Sequence, residues 1–284
     1  MTIRLIDTHT HFDVPEYDEH RRLMTERAHE QGIRHLVLIG FLAKYFHQMV
    51  KVKSQMADFA KSSHQGIQAH LAFGLHPLYI MEQSDSDLML LDDFIRKYSS
   101  IAIAEIGLDT YPKTLAQSDI FEKQKQFFIE QIHLAKHHDL PTLLHIRKAH
   151  AQVLQILKDH KYRASVQGGI AHSFSGGEQE ALAFVKMGFK LGITGQITNP
   201  NAKKLRNSVM NVFKRYGAEA FVIETDCPDM MPVPCQHLGT FNEPANLVYV
   251  IDELATMFDM DKENLARQLW QNSNEALHQN WVYE

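Results

Sequence analysis

Short apolar segments and longer amphipathic segments alternate along almost the whole chain, and the alternation occurs eight times. The short segments are rich in Val, Ile and Leu, as buried strands are, and the longer ones repeat apolar residues at helical spacing. A strand followed by a helix, repeated in this way, predicts a parallel sheet with right-handed crossovers. Eight such units favour a closed (β/α)8 barrel over the alternative of an open, doubly wound sheet.

The predicted strands span residues 3–7, 34–40, 67–77, 101–109, 141–147, 189–195 and 220–226, and the sixth lies within residues 168–176 and ends at His172. The predicted helices span residues 17–32, 44–61, 86–98, 117–138, 149–158, 178–187, 201–214, 243–258 and 261–277. No low-complexity tract, Pro-rich linker or change of composition interrupts this series, and a barrel of this kind takes about 250 residues. We therefore predict a single α/β domain over residues 1–284, folded as a TIM barrel.

Charge and composition argue against several classes of protein. The net charge is −5 and the pI is near 6.4, which disfavours broad binding to duplex nucleic acid but leaves room for a local phosphate pocket. The first 20 residues carry charges and histidines, so we expect no signal peptide. No apolar run approaches the ~18 residues of a membrane-spanning helix. The two cysteines, Cys227 and Cys235, lack metal or redox spacing, so we expect a cytoplasmic protein without a membrane contact.

Polar side chains recur where the predicted strands end, which in a (β/α)8 barrel is where active sites lie. The first strand runs into "DTHTHFD", in which His9 and His11 share one face because strand side chains alternate. Any one such histidine is more often a core residue, and 18 histidines make chance pairs common. Seven polar groups at one end of a barrel are hard to explain as packing, since burying them unpaired is costly. They are His9, His11, His76, Glu105, His145, His172 and Asp226.

A metal centre explains this convergence, because Zn, Mn, Fe and Ni accept imidazole and carboxylate ligands and Mg accepts carboxylate. Six ligands are too many for one four-coordinate ion with an open position, so we predict two divalent ions, roughly 3.5–4 Å apart and bridged by Glu105. Asp226 can also take a proton from an attacking water. Glu105 and Asp226 are thus the predicted catalytic residues of a metal-assisted hydrolysis. The six predicted ligands are His9, His11, Glu105, His145, His172 and Asp226.

Three residues are predicted to contact the substrate. Arg147 lies two residues beyond His145 on the same strand face, where a guanidinium can bind phosphate through two hydrogen bonds, although a structural ion pair is the alternative. Ser175 either donates to an anion at a helix N-terminus or caps that helix. His76 is expected beside the centre or in the substrate pocket, and Lys113 and Lys148 are weaker candidates. Residues expected to support the site are Asp7, Asp13, Asp109 and Asn242, the last of them also as a helix cap.

The motifs "DTHTHFD", "GLHP", "AEIGLD", "LLHIR", "AHSFSG" and "ETDCPDM" resemble, in order and along the whole chain, those of the TatD-type metal-dependent hydrolases. This family, also called the TatD-like DNases, belongs to the amidohydrolase-like barrels, and the resemblance implies a magnesium-dependent nuclease acting from the 3′ end of DNA. The chain departs from the family pattern at Thr110 and Lys148, on loops that shape the pocket. The resemblance further implies a first metal on His9, His11, Glu105 and Asp226, and a second on Glu105, His145 and His172.

Three functions remain compatible with these features. The first is a phosphodiesterase or deoxyribonuclease, acting as a 3′-to-5′ exonuclease does, whose partner is a nucleic acid or nucleotide. The second hydrolyses an amide, ester or lactone at the same metal pair, because a fold does not fix a function. The third is a binding protein that uses its metals only structurally, and a ligand set with room for water and substrate argues against it.

Overall fold

The computed structural model of the protein describes residues 3–63, 66–237, 239 and 241–283. Eight strands form one sheet in sequence order, and each strand pairs in parallel with the next. The segment after the last strand returns to the first through hydrogen bonds from Asp226 N to His9 O and from His11 N to Cys227 O, both 2.9 Å, which rounds the sheet into a barrel. The strands are β1 (Leu5–Thr10), β2 (Ile33–Ile39), β3 (Gln68–Phe73), β4 (Ala102–Asp109), β5 (Thr142–Arg147), β6 (Gly169–Ala171), β7 (Lys190–Ile193) and β8 (Phe221–Ile223).

Each connection between consecutive strands contains at least one helix, and two helices follow the last strand. This arrangement confirms the predicted (β/α)8 barrel. Within the described ranges, no helix is both long enough and apolar enough to cross a bilayer. The helices are α1 (Arg21–Glu30), α2 (Phe46–Ser63), α3 (Asp85–Tyr98), α4 (Ser118–His137), α5 (His150–Asp159), α6 (Ala164–Gln167), α7 (Glu178–Lys186), α8 (Lys203–Tyr216), α9 (Leu247–Phe258) and α10 (Lys262–Leu277).

The sheet is buried on both faces, as continuous apolar strands predict. A large apolar cluster fills the space between the strands and the surrounding helices. A second cluster lies inside the barrel and consists mainly of Val37, Ile39, Ala72, Ala102, Ala104, Leu143, Ile170 and Val222. Because strand side chains alternate, the next inward positions beyond this layer hold polar groups at the carboxyl ends of three strands. These groups are His145 after Leu143, His172 after Ile170, and Glu224 after Val222.

The observed strands are shorter than predicted in the sixth and eighth units. β6 and β8 have three residues each, whereas the sequence predicts a sixth strand that reaches His172 and an eighth over 220–226. Ser173 (φ 42°) and Asp226 (φ 53°) adopt positive φ angles, so the chain turns out of the sheet soon after each strand. His172 and Asp226 therefore lie on loops at the mouth of the barrel. The short helix α6 and the helical turns at Pro77–Glu82 and Gly195–Thr198 are not predicted from the sequence.

Candidate metal centre

The carboxylate of Glu105 is the centre of the predicted site. It projects from β4 and is 2% exposed. Asp226 lies opposite, with Oδ2 at 3.4 Å from His172 Nε2 and Oδ1 at 3.7 Å from His9 Nε2. The structure thus brings together all six predicted ligands and adds His76. Five imidazole nitrogens lie within 4 Å of the Glu105 oxygens: His145 Nδ1 at 2.8 Å, His9 Nε2 at 3.3 Å, His76 Nε2 at 3.4 Å, and His11 Nε2 and His172 Nε2 at 3.6 Å.

Three of these histidines have their outer ring nitrogen beside an acceptor. His11 Nδ1 is 3.1 Å from the carbonyl oxygen of Ile39, and His145 Nε2 is 3.0 Å from Oδ2 of Asp109. An imidazole whose outer nitrogen donates a proton keeps a lone pair on its inner nitrogen, and metal-binding histidines are commonly oriented in this way. The inner nitrogens of His11 and His145 face Glu105, and His145 Nδ1 forms a 2.8 Å hydrogen bond with Oε1 of that carboxylate. Once the inner proton is lost, each ring would offer a lone pair to a cation beside Glu105.

His172 has the same orientation but a weaker anchor. Its Nδ1 is 2.9 Å from Oε1 of Glu224, although the contact lacks the alignment of a hydrogen bond and is better described as an ion-pair contact. Glu224 is fully buried and also accepts from Ser173 N (2.5 Å) and Thr8 Oγ1 (3.3 Å). A Cβ on Gly192 would lie 2.3 Å from Oε1 of Glu224, so a glycine in β7 makes room for this carboxylate.

His9 supplies a direct test of whether the site fits a metal. Its side chain is fully buried and stacks on His172 with ring centroids 3.3 Å apart. Neither ring nitrogen of His9 has a hydrogen-bond partner among the described residues. An unpartnered buried imidazole is costly, and a cation held between Glu105 and Asp226 would give Nε2 the partner that it lacks. The donor set therefore fits a divalent metal.

His76 differs from the other histidines of the centre. The backbone N–H of Leu78 donates to His76 Nδ1 at 2.9 Å, so the proton of the neutral ring is on Nε2. Burial lowers the pKa of His76 to about 4, which keeps the ring neutral. Its Nε2 lies 3.4 Å from Oε1 of Glu105. His76 thus presents an N–H to the centre and has no lone pair to offer a metal there.

The two carboxylates at the centre are ionised. Burial opposes the ionisation of Glu105, but the facing imidazoles of His76, His172 and His9 hold the pKa of its carboxyl well below the ordinary value. Burial likewise opposes the ionisation of Asp226, and His172 lowers the pKa of that carboxyl. Two buried anions surrounded by imidazoles form an electrostatic environment that suits a divalent cation.

The loop that carries Asp226 is held from two sides. Asp7 accepts hydrogen bonds from Thr225 N (2.9 Å) and Thr225 Oγ1 (2.5 Å). Asn242 Nδ2 donates to the carbonyl oxygens of Thr225 (3.0 Å) and Asp229 (2.8 Å). Both residues therefore support the loop, as predicted. The predicted capping role of Asn242 is wrong, because α9 begins after Asn246 and has no side-chain cap.

Glu224 is the carboxylate of the candidate site that the sequence pattern did not single out. It lies between two inward-facing positions, since Val222 lies in the inner apolar layer and Asp226 carries a predicted ligand. The alternation of strand side chains, extended from Val222, places Glu224 in the barrel interior. The glycine at position 192 on the neighbouring strand β7 is a second signal, because an interior strand glycine often marks a close approach.

A cavity of about 1140 Å³ opens over the centre and exceeds the roughly 300–1,000 Å³ of ordinary small-molecule sites. Its lining includes all three predicted substrate contacts: His76, Arg147 and Ser175. The Arg147 guanidinium lies over the ring of Tyr111, 3.7 Å from its centroid, and forms no ion pair with another described residue. Lys113 does not line the cavity, whereas Lys203 and Lys204, which the sequence analysis did not consider, do.

Comparison with known proteins gives matches along nearly the whole chain. A family model described as TatD related DNase matches residues 6–278. YabD of Bacillus subtilis, named an uncharacterized metal-dependent hydrolase, is 32% identical over 95% of this chain and 97% of its own. YjjV of Escherichia coli K12, which has the same description, is 31% identical over 96% of this chain and 97% of its own.

The crystal structure of YjjV, described as a TatD homolog, superposes with a TM-score of 0.83 at 29% identity and covers 99% of this chain and 100% of that one. A protein of Pantoea vagans named 3′-5′ ssDNA/RNA exonuclease TatD is 26% identical over 91% of this chain and 93% of its own. The family match over residues 6–278 and the relatives above 30% identity agree with the metal-compatible centre at the barrel mouth. The chain therefore belongs to the TatD family of metal-dependent hydrolases.

Proposed function

We propose that this protein is a metal-dependent phosphodiesterase that cleaves nucleic acid, with two divalent ions that share Glu105. One observation carries the proposal: the inner nitrogens of His11, His145 and His172 converge on Glu105, while an acceptor lies beside the outer nitrogen of each ring. Such a donor set is suited to metal binding and leaves a large open cavity above it for the substrate.

The proposed ligands form two groups around the bridging carboxylate. Asp226 Oδ1 lies 3.7 Å from His9 Nε2 and 3.9 Å from His11 Nε2, which supports their common ion. Bound divalent ions polarise a phosphoryl oxygen and make water acidic enough to attack at neutral pH. The candidates are Zn, Mg, Mn, Fe and Ni. We assign the first ion to His9, His11, Glu105 and Asp226, and the second to Glu105, His145 and His172.

Asp226 is the proposed proton acceptor. The lowered pKa of its carboxyl keeps it ionised at neutral pH, and the side chain is 13% exposed at the cavity floor, where water can reach it. A carboxylate in this position can take a proton from the attacking water. Glu105 fixes the imidazoles around it, and His76 keeps its Nε2–H beside that carboxylate.

Arg147 and Ser175 are the proposed contacts to the cleaved phosphate. Both line the cavity, and stacking on Tyr111 restricts the guanidinium of Arg147 before substrate arrives. A guanidinium can hold two phosphate oxygens at once. The name of the Pantoea vagans relative supports single-stranded DNA or RNA as the substrate and cleavage from the 3′ end. Cations at the mouth favour this anionic substrate over an amide, ester or lactone.

The test is a metal-reconstituted activity screen. The purified protein is stripped with a chelator, reloaded with each candidate metal, and assayed on single-stranded DNA, RNA, bis-p-nitrophenyl phosphate, a simple ester and a lactone. We expect metal-dependent release of mononucleotides from DNA or RNA, and a loss of about 10³-fold or more in the double variant His145→Ala/His172→Ala.

The matched control for this double variant is His133→Ala/His137→Ala, which removes two exposed histidines from α4 and should leave activity unchanged. Undiminished nucleotide release by the His145/His172 variant would contradict the proposed metal site. Hydrolysis of the ester or lactone without hydrolysis of any phosphodiester would instead assign this centre to the alternative function.

A further inference from the structure

The mouth of the cavity is divided by charge. Acidic side chains line it on the loops after β1, β3 and β8, at Glu16, Glu82 and Asp229. Lys44 also lies on that side, but its Nζ is 2.8 Å from Oε2 of Glu82, so its charge is balanced. The opposite side, on the loops after β5 and β7, carries cations and no acid above the metal centre. The cations there are Arg147, Lys203 and Lys204, with Lys148 next to Arg147.

The lysines of this second side are less closely paired with carboxylates than Lys44 is. Within the part of the chain that the structure describes, Lys148, Lys203 and Lys204 form no ion pair, in contrast to Lys44. Lys148 Nζ lies over the ring of Tyr111, 4.7 Å from its centroid, beside the guanidinium of Arg147. Like charges gathered on one aromatic ring repel each other, so an anion at this place would relieve the repulsion.

Lys148 is held in an unusual backbone conformation. Its φ of 56° lies in the left-handed region that few non-glycine residues adopt. The hydroxyl of Thr110 donates to the carbonyl oxygen of Lys148 at 3.1 Å and ties the two loops together. Thr110 and Lys148 are the two positions at which the chain departs from the motifs of the family it resembles. The departures therefore form one unit, which places an extra cation beside Arg147, a residue that lines the cavity.

The lysines of α8 occupy positions that helix stability disfavours. Lys203 and Lys204 begin the helix, where the positive end of the helix dipole repels cations, and Ala202 supplies no side-chain cap. Both side chains are exposed and line the cavity. A local arrangement that weakens the helix and faces a binding cavity is typical of a functional site.

We propose that Lys148, Lys203 and Lys204 bind the phosphates that flank the cleaved one, so that the protein prefers a single-stranded polynucleotide to a substrate with one phosphate. The inference rests on the proposed function. It assigns protein contacts to the part of the substrate that the metal centre does not reach. The cavity volume of about 1140 Å³ gives room for more than the scissile group. The acidic side opposite restricts the path of the strand to the loops after β5 and β7.

The test compares two neutralised triple variants with equal charge change. Lys148→Gln/Lys203→Gln/Lys204→Gln removes the proposed contacts, and Lys158→Gln/Lys186→Gln/Lys214→Gln removes three exposed lysines from the last turns of α5, α7 and α8. For the first variant, kcat/KM on a short single-stranded oligonucleotide should fall about tenfold more than kcat/KM on bis-p-nitrophenyl phosphate. The plot of log(kcat/KM) against log[salt] should become shallower by about 2, since each lost phosphate contact removes roughly 0.7 from the slope.

Binding of a fluorescent oligonucleotide, measured by anisotropy, separates this inference from the proposed function. Weaker binding by the first variant than by the control supports the inference, even if no phosphodiester is hydrolysed. Equal binding by the two variants, or an equal loss of activity on both substrates, overturns it. Neutralising Lys203 and Lys204 should not lower the melting temperature, and the single variant Lys148→Gln repeats the test if the triple variant folds poorly.

Discussion

At the scale of the residue, the hydrogen bond from Leu78 N to His76 Nδ1 decides the chemistry of His76. By position alone, His76 belongs to a cluster with Glu105 and His145 that could hold a metal. The bond places the ring proton on Nε2, so the nitrogen that faces Glu105 is a donor. Proximity and ligand type are therefore not enough to assign a ligand, because the outer contact of each ring fixes which nitrogen is free.

This assignment predicts that His76 and His172 respond differently to substitution. His76→Ala should reduce activity by about 10–100-fold, as loss of an orienting hydrogen bond does, and should leave the metal content near that of the wild type. His172→Ala should lower the metal content itself, because it removes a ligand. Elemental analysis of the two purified variants after equal metal loading checks the difference. An equal loss of metal from both would show that His76 is a ligand.

The sequence predicts which imidazoles meet at the centre better than it predicts how their rings are oriented. His9, His11, His145 and His172 are evident from the strand ends, since residue type and period-two spacing are local properties. The anchors of these residues come from distant parts of the chain, as Glu224 does for His172 and Ile39 for His11. No local pattern specifies such contacts, so tautomers and the supporting carboxylate emerge only from the fold.

At the scale of the element, β4 and β5 approach each other closely beside the centre. Gly107 has φ 146° and pairs with His145, and a Cβ at position 107 would lie 2.0 Å from the carbonyl oxygen of His145. Glycine therefore fixes how near the strand bearing Glu105 lies to the strand bearing His145. The distance between Glu105, the proposed bridge, and His145, a proposed ligand, therefore depends on the absence of a side chain at Gly107.

Gly107→Ala should therefore lower the free energy of unfolding by about 3 kcal/mol or more. The new methyl group would collide with the backbone of His145, and alanine is strained at this φ angle. Gly239→Ala is the control, since a Cβ there meets no described atom within 4 Å. Urea denaturation of both variants measures the effect. A Gly107→Ala variant as stable as the control would mean that β4 and β5 can separate without cost.

The order and type of the elements follow from the sequence more closely than their ends do. All eight strands are predicted, because apolar runs between amphipathic segments are a strong local signal. The early ends of β6 and β8 are not predicted, because the positive φ angles of Ser173 and Asp226 depend on tertiary contacts. For Asp226 these contacts are Asp7 and Asn242, which hold the preceding Thr225.

At the scale of the whole molecule, the barrel has a polar group at each end with an apolar layer between them. The amino-terminal end contains His35 on β2 and His70 on β3, joined by a 3.0 Å contact from Nδ1 to Nε2. Trp281 stacks on the ring of His35 and packs at a tilt against that of His70, with a centroid distance of 4.4 Å in each case. This end is closed by aromatic packing, whereas the other is open to solvent.

The buried histidine pair makes stability depend on pH. Burial, with a smaller effect of Arg34, lowers the pKa of His35 to about 4. Burial, with smaller effects of His35 and Lys53, lowers that of His70 to about 3. Because the unfolded histidines titrate near 6.5, the unfolded state binds more protons below that pH. The contribution of the neutral His35–His70 pair to the free energy of unfolding is thus complete above about pH 6.5 and is lost as the pH falls towards 4.

The free energy of unfolding should therefore fall by roughly 5 kcal/mol between about pH 7 and pH 4.5 on account of this pair. His70→Gln, which keeps a polar partner for His35, should show a smaller fall, and the exposed variant His237→Gln should behave as the wild type does. Urea denaturation at both pH values measures the three proteins. Because the apolar layer separates the pair from the metal centre, the difference between His70→Gln and wild type should persist with and without added metal. If the free energy of unfolding depended on pH in the same way for His70→Gln and the wild type, the acid sensitivity would have to arise elsewhere in the barrel.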